Sequence, residues 1–272
     1  FRKPLLYANS RQSFPGRAAA ATRRRCGFLG TAGIMGYLVV VLSAAFGIPT
    51  VYLLQWSVTA VAQGAIDSRF WGFVVNSALL SGLAATGAVA IGLPLAYMAT
   101  RRPSRLNLAC LQAAYAGYVL PGPVAALAVL ALCTTFAPIF YGSVIVLLVA
   151  YIVHFLPAGL QSLEPALQQL TPNLEEVART LGFNLRQIWR RITFPLIRNG
   201  FLAAWVLMFL QTMKELPATL LLRPVGFDTL AIRVWLEASE EYYQLAAPSA
   251  VLIVLLSLPA LMLLVAKDWR AA

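Results

Sequence analysis

Apolar residues run almost unbroken through six stretches of the chain, about 28–56, 73–100, 106–133, 139–160, 197–222 and 245–266. Each reaches the ~20 residues that a helix needs to cross the hydrocarbon of a bilayer. The first is longer than that, which predicts a helix that tilts or extends past the membrane. Glycine and proline interrupt the runs, as in LPGPVAAL at 120–127. Inside a membrane such residues need neighbouring helices to satisfy the backbone groups they free. The pattern predicts an all-α polytopic membrane protein, a packed bundle of about six transmembrane helices within residues 28–272. Residues 1–27 are polar and basic and read as a linker or tail.

One polar segment breaks the apolar succession: EEVARTLGFNLRQIWRRITFPL at 175–196. Thr171 is placed to N-cap a helix with Pro172 at its first position. Leu174, Val177, Ala178 and Leu181 then recur at helical spacing and form one apolar face. Gly182 follows where a left-handed residue ends a helix. Asn184 is placed to cap a second helix, with Gln187 three residues on, and Leu185, Ile188 and Ile192 form its apolar side. The product is two short helices joined by a glycine turn. A DNA-binding helix-turn-helix has this outline but needs a soluble domain, whereas apolar spans begin here within a few residues on either side. An amphipathic loop on the lipid surface and a docking surface for a cytoplasmic partner both fit.

Only 11% of the residues are charged, against roughly 25% in a soluble domain. The formal net charge is +11. A basic balance of that size fits nucleic acid in a soluble protein, but in a membrane protein it marks the cytoplasmic side. With the N-terminus inside, three groups share that side with Lys267 and Arg270: the tail (Arg2, Lys3, Arg11, Arg17, Arg23, Arg24, Arg25), the loop after the second span (Arg101, Arg102, Arg105) and the insert (Arg179, Arg186, Arg190, Arg191, Arg198). Arg69, Arg223 and Arg233 fall outside. Both termini and the 161–198 segment are therefore expected in the cytoplasm, with nucleic acid excluded as a partner and membrane lipid included. Arg23–Arg25 followed by an apolar run resembles a signal peptide, but that run is too long for one. Cys26, Cys110 and Cys133 make no C-x-x-C, so neither a metal site nor a disulfide framework is indicated.

The insert carries a resemblance. Glu176-Val177-Ala178, three residues, Gly182, nine residues, Ile192-Thr193-Phe194-Pro195 resembles the EAA loop of binding-protein-dependent ABC importer permeases. Their pattern is E-A-A, three residues, G, nine residues, I-x-L-P; Val177 stands for the first alanine and Phe194 for the leucine. NSALLSGLAATGAVAIGLPLAYMATR at 76–101 is similar to the start of the shared permease core. The resemblance implies a type I ABC importer permease core in a bacterial inner (plasma) membrane. Loop 171–195 would be its ATPase-coupling element, with Glu176, Ala178, Gly182, Ile192 and Pro195 as the coupling residues. The implied partners are cytoplasmic ATPase subunits, a second permease half (fused or separate) and a periplasmic substrate-binding protein. The implied mechanism is alternating access. KELPATLLLRPVGFDTLAIRVW at 214–235 resembles the second half of double-length ferric-iron permeases, so the chain looks like the C-terminal half of such a protein. Thiamine, phosphonate and polyamine importers are the alternatives.

The only lysines are Lys3, Lys214 and Lys267, none preceded by glycine. ATP is therefore not bound here by a P-loop, and the chain is expected to be a transport subunit without cofactor, ATP being used by a separate subunit. A rival class is a secondary transporter, which intramembrane ionisable residues would suit but the EAA spacing would not. The candidate path residues are Glu215, Lys214 and the single histidine, His154. Two adjacent charges within a span are costly, on the order of 2.5–3.5 kcal/mol each at mid-bilayer. Adjacent helical residues project about 100° apart and do not neutralise one another. Pro217 removes a backbone donor. The expectation is a broken helix beside a water-accessible cavity, with Glu215 facing the path and Lys214 paired to a neighbouring helix. Snorkelling of both charges, and a packed, hydrogen-bonded His154, are the alternatives.

Overall fold

The structure, a computed structural model, describes residues 27–268. The basic residues of the 1–26 tail, and Arg270, lie outside them. Every regular element among the described residues is helical. The chain forms two units, residues 1–50 and residues 51–272. The first holds α1 (Phe28–Leu42), a π-helical turn at Ser43–Gly47 and the start of α2 (Ile48–Ala62). The large apolar side chains of α1, from Ile34 to Leu42, are exposed, as in a helix that faces lipid.

The second unit continues with α3 (Ser68–Arg101), α4 (Arg105–Ala116), α5 (Gly122–Phe136), α6 (Val144–Gln168), α7 (Pro172–Thr180), α8 (Leu185–Ile188), a π-helical turn at Trp189–Thr193, α9 (Phe194–Met213), α10 (Pro217–Leu222), α11 (Leu230–Ser239) and α12 (Tyr243–Asp268). Helices α3, α6 and α9 pack against one another as the core. Without water between them, helices in lipid associate through close packing, which favours small residues at the seam. Helix α3 supplies Ala84, Ala85, Ala88, Gly92 and Ala96, all buried. Gly92 faces the tips of Leu156, Leu160 and Leu163 on α6. Gly200 on α9 lies directly against Ala166 and the Ser162 carbonyl of α6, leaving no room for a Cβ.

Among the described residues, five stretches are long and apolar enough to cross a membrane: Gly30–Ala62, Ser68–Arg101, Val144–Gln168, Leu185–Met213 and Tyr243–Leu264. The third expected span, 106–133, is not one helix. It is split into α4 and the apolar α5, which has 15 residues and is too short to be a full span. Pro121 and Pro123 lack the donors that would carry a helix through, and Gly117 lies against the Val153 carbonyl of α6. The fifth run is divided likewise, between α9 and α10.

At the end of the bundle away from α7, Asp67 caps α3 by accepting from Phe70 N at 2.8 Å. Asn76 donates to the Asp228 carbonyl at 3.0 Å, and Ser77 Oγ accepts from Leu230 N at 2.8 Å. These bonds fasten the loop before α11 to the start of α3.

Candidate functional site

The insert folds as two short helices. Pro172 occupies the first turn of α7, but the Thr171 side chain makes no capping bond, contrary to expectation. Proline has already fixed the backbone at that position, and Leu174 N is satisfied by the Thr171 carbonyl at 3.1 Å instead. Gly182 takes φ +83°, the left-handed conformation that glycine adopts without steric cost. Asn184 and Gln187 form a reciprocal capping box, both bonds at 2.9 Å. A π-helical turn then joins α8 to α9.

The apolar face predicted for α7 is not buried. Ala178 alone is covered, while Leu174, Val177 and Leu181 are exposed, as is Leu185 on α8. Ile188 is buried, Ile192 half-buried and Pro195 exposed. Glu176 is exposed beside that apolar patch. Its neighbour Glu175 points the other way. The Glu175 carboxylate lies 3.2 Å from Arg101 Nε, and the two side chains are only 11% and 7% exposed. Tyr97 donates its hydroxyl to Glu175 at 3.0 Å, and the Thr193 hydroxyl donates at 3.4 Å. Arg101 also donates to the Leu170 carbonyl at 2.9 Å, and Trp189 sets an edge on the Tyr97 ring. A polar cleft of about 420 Å³ opens beside this cluster, lined by Arg101, Arg102, Glu175, Glu176 and Arg179 among others.

Sequence reasoning missed Glu175, although a signal was present. Glu175 is three residues before the buried Ala178 and so shares its face, while Glu176 is rotated about 100° away.

The intramembrane candidates meet at a second place. Residues 214–216 leave the helix between α9 and α10. The Glu215 carboxylate accepts from Ala218 N at 3.1 Å and so caps α10. Its carbonyl accepts from the Thr219 hydroxyl at 2.7 Å, and Tyr151 of α6 bonds Thr219 in turn. A Cβ built on Gly122 would stand 3.3 Å from Glu215 Oε1 and 3.8 Å from His154 Nε2. Glu215, His154 and the start of α5 therefore converge. His154 Nδ1 is buried and has no hydrogen-bond partner among the described residues. Lys214 is exposed, and among the described residues it makes no ion pair.

Residues 88–270 match the family described as the binding-protein-dependent transport system inner membrane component. The chain belongs to this family. Among curated proteins, this permease is 34% identical over 224 residues to the Fe(3+)-transport system permease protein FbpB 2 of Haemophilus influenzae, covering 82% of this chain and 44% of that one. It thus spans less than half the length of that relative. It is 29% identical to a protein of Haloferax volcanii described as a probable molybdenum ABC transporter permease, over 69% of this chain and 72% of that one. Among solved structures it superposes on a chain of a bacterial ABC transporter involved in the import of the acidic polysaccharide alginate. The TM-score is 0.68 at 16% identity, covering 88% of this permease and 95% of that chain; this establishes the shared fold. The permease is a multi-pass membrane protein.

Proposed function

We propose that the chain is a permease half of an ATP-driven importer that carries ferric iron. A binding protein delivers the ion on the outer side, and separate ATPase subunits engage the 171–195 loop inside. One observation carries this reading. The motif residues fold into a short helix that leaves Glu176, Leu174, Val177 and Leu181 exposed beside a left-handed glycine. Apolar residues rimmed by charge, left uncovered on a surface, mark a protein interaction site. The likeness to an Fe(3+)-transport permease supports iron, and a carboxylate at a break in a span suits a cationic cargo.

In operation, closure of the ATPases would push on α7, and the α3–α6–α9 core would re-pack between inward-open and outward-open arrangements. Such transitions are discrete because packed interfaces have few arrangements. Within this chain, Gly182 sets the angle of α7, Glu176 meets the partner, and Glu215 with His154 borders the path at the start of α5.

Gly182→Asp tests the coupling. The added Cβ in a left-handed conformation costs roughly 1–2 kcal/mol, too little to unfold the bundle. The permease should reach the membrane at normal abundance, while uptake of ⁵⁵Fe(III) falls more than tenfold and ATP hydrolysis persists. Uptake at the unmutated level would remove the coupling role of this turn.

The Haloferax relative supports a second reading, an anionic cargo. Lys214, exposed at the same break, would then be the charge that matters, and Lys214→Met rather than Glu215→Gln would abolish uptake.

A further inference from the structure

The Glu175–Arg101 pair is buried, and burying an ion pair is a poor way to gain stability. Its desolvation cost rivals its Coulombic gain, and an apolar pair of similar volume often does as well. What the pair does provide is a fixed geometry between specific elements. The Glu175 carboxylate is held by Arg101 and Tyr97 from α3 and by Thr193 from the π-helical turn that leads into α9. Arg101 also holds the Leu170 carbonyl, where α6 hands over to α7. The Glu175 carboxylate thus joins α7 to the end of α3 and the turn into α9, and Arg101 adds the segment that follows α6. Little else does: α7 buries Ala178 and leaves its larger apolar side chains exposed.

We propose that the Arg101–Glu175 pair is a positioning clamp that makes the 171–195 loop move as one body with α3, so that force applied to α7 reaches the membrane core. The inference rests on the coupling role given to that loop. The two neighbouring acids then have separate roles. Glu176 faces the partner, and Glu175 holds the helix to its own bundle. Neither Glu175 nor Arg101 touches the cargo.

The test uses the full permease with its second half and ATPase, reconstituted in liposomes, with ⁵⁵Fe(III) on the binding protein as the probe. Three variants are compared with the unmutated complex: Glu175→Gln, Arg101→Met and both together. Each single change should lower the iron carried per ATP hydrolysed at least tenfold while the ATPase stays bound. The double variant should be no worse than either single one, because the two residues act through one contact. Hydrogen exchange at residues 172–180 should quicken at least tenfold in Glu175→Gln and stay unchanged in Glu176→Gln. Tyr97→Phe deletes a single bond to Glu175 and leaves both charges in place, so it gives a gentler case. It should lower the transport ratio about threefold.

Normal exchange and a normal ratio in Tyr97→Phe and Glu175→Gln would overturn the clamp. So would losses that multiply in the double variant. An unmutated complex that carries no iron would overturn the cargo reading instead, and exchange at 172–180 would still decide the clamp.

Discussion

Two glycines on the core helices show how much one methyl group decides at the seam. Alanine in place of a helical glycine gains roughly 0.5–1 kcal/mol from backbone entropy. At Gly82 nothing lies within 4 Å of the added Cβ, so Gly82→Ala should be neutral or raise the melting temperature in detergent. At Gly200 the Cβ meets the Ser162 carbonyl at 3.1 Å and collides with the Ala166 methyl. Overpacking of this kind costs about 1–3 kcal/mol, which exceeds the gain. Gly200→Ala should therefore lower the melting temperature by several degrees. Equal melting temperatures for the two variants would mean that the α6–α9 contact is looser than the structure has it. The sequence marks both residues only as glycines in apolar runs. Which of them meets another helix depends on the rotation of α9 about its axis, and a stripe of near-uniform hydrophobicity does not encode that rotation. The motif residues were legible because their signal is local. Gly182 and the Asn184–Gln187 box each satisfy backbone groups within a few residues. Arg101 and Glu175 are far apart in the chain, and no short-range rule pairs them.

Among the elements, the two divided spans have a common cause and differed in legibility. Pro217 and the adjacent charges at 214–215 announced a break, and α9 does stop at Met213. The break between α4 and α5 was carried by Gly117, Pro121 and Pro123 inside an otherwise apolar run, and length alone made that run look continuous. Both breaks end at the start of a helix: α5 begins at Gly122, α10 at Pro217, and α5 packs against α10. Irregular backbone at membrane depth is tolerated where protein or a water-filled cavity surrounds it. Glu215 has one observed role at this junction and one proposed role on the path. As an acceptor it caps α10 through Ala218 N; as a charge it would attract a cation on the proposed path. Glu215→Gln keeps the acceptor and removes the charge, whereas Glu215→Ala removes both. The first should cut iron uptake severalfold at unchanged thermal stability. The second should cut uptake as deeply and also cost about 1 kcal/mol of stability, the usual worth of a helix cap. If Glu215→Gln transports normally while Glu215→Ala is destabilised, the carboxylate is a cap and has no part in the path.

At the scale of the whole molecule, the two ends of the bundle carry different chemistry, and that difference predicts an orientation. One end gathers Arg101, Arg102, Arg105, Arg179, Arg186, Arg190, Arg191 and Arg198 around α7 and α8. The other gathers mixed charges that are largely neutralised. Arg223 pairs with Asp228, and Arg233 lies 2.5 Å from Glu237. A cleft of about 710 Å³ between Asp67, Arg69, Asn76, Asp228 and Arg233 opens there. Arginine excess orients membrane proteins with the basic end inside, whereas acids count for little. The basic end should therefore be cytoplasmic, and the mixed-charge cleft should face the binding protein. Asn184 and Ser239 are exposed at the opposite ends. Cys26, Cys110 and Cys133 are first replaced by serine or alanine, so that only the introduced thiol can react. A cysteine at Ser239 should then react with a membrane-impermeant maleimide on intact cells or spheroplasts. A cysteine at Asn184 should react only after the membrane is opened. The reverse pattern would put loop 171–195 outside, beyond the reach of a cytoplasmic ATPase, and the importer reading would fall with it. Labelling of both sites on intact cells would mean that the divided run between them, α9–α10, does not cross. In the bundle α9 packs along both α3 and α6, so that outcome would contradict the packing of the core itself.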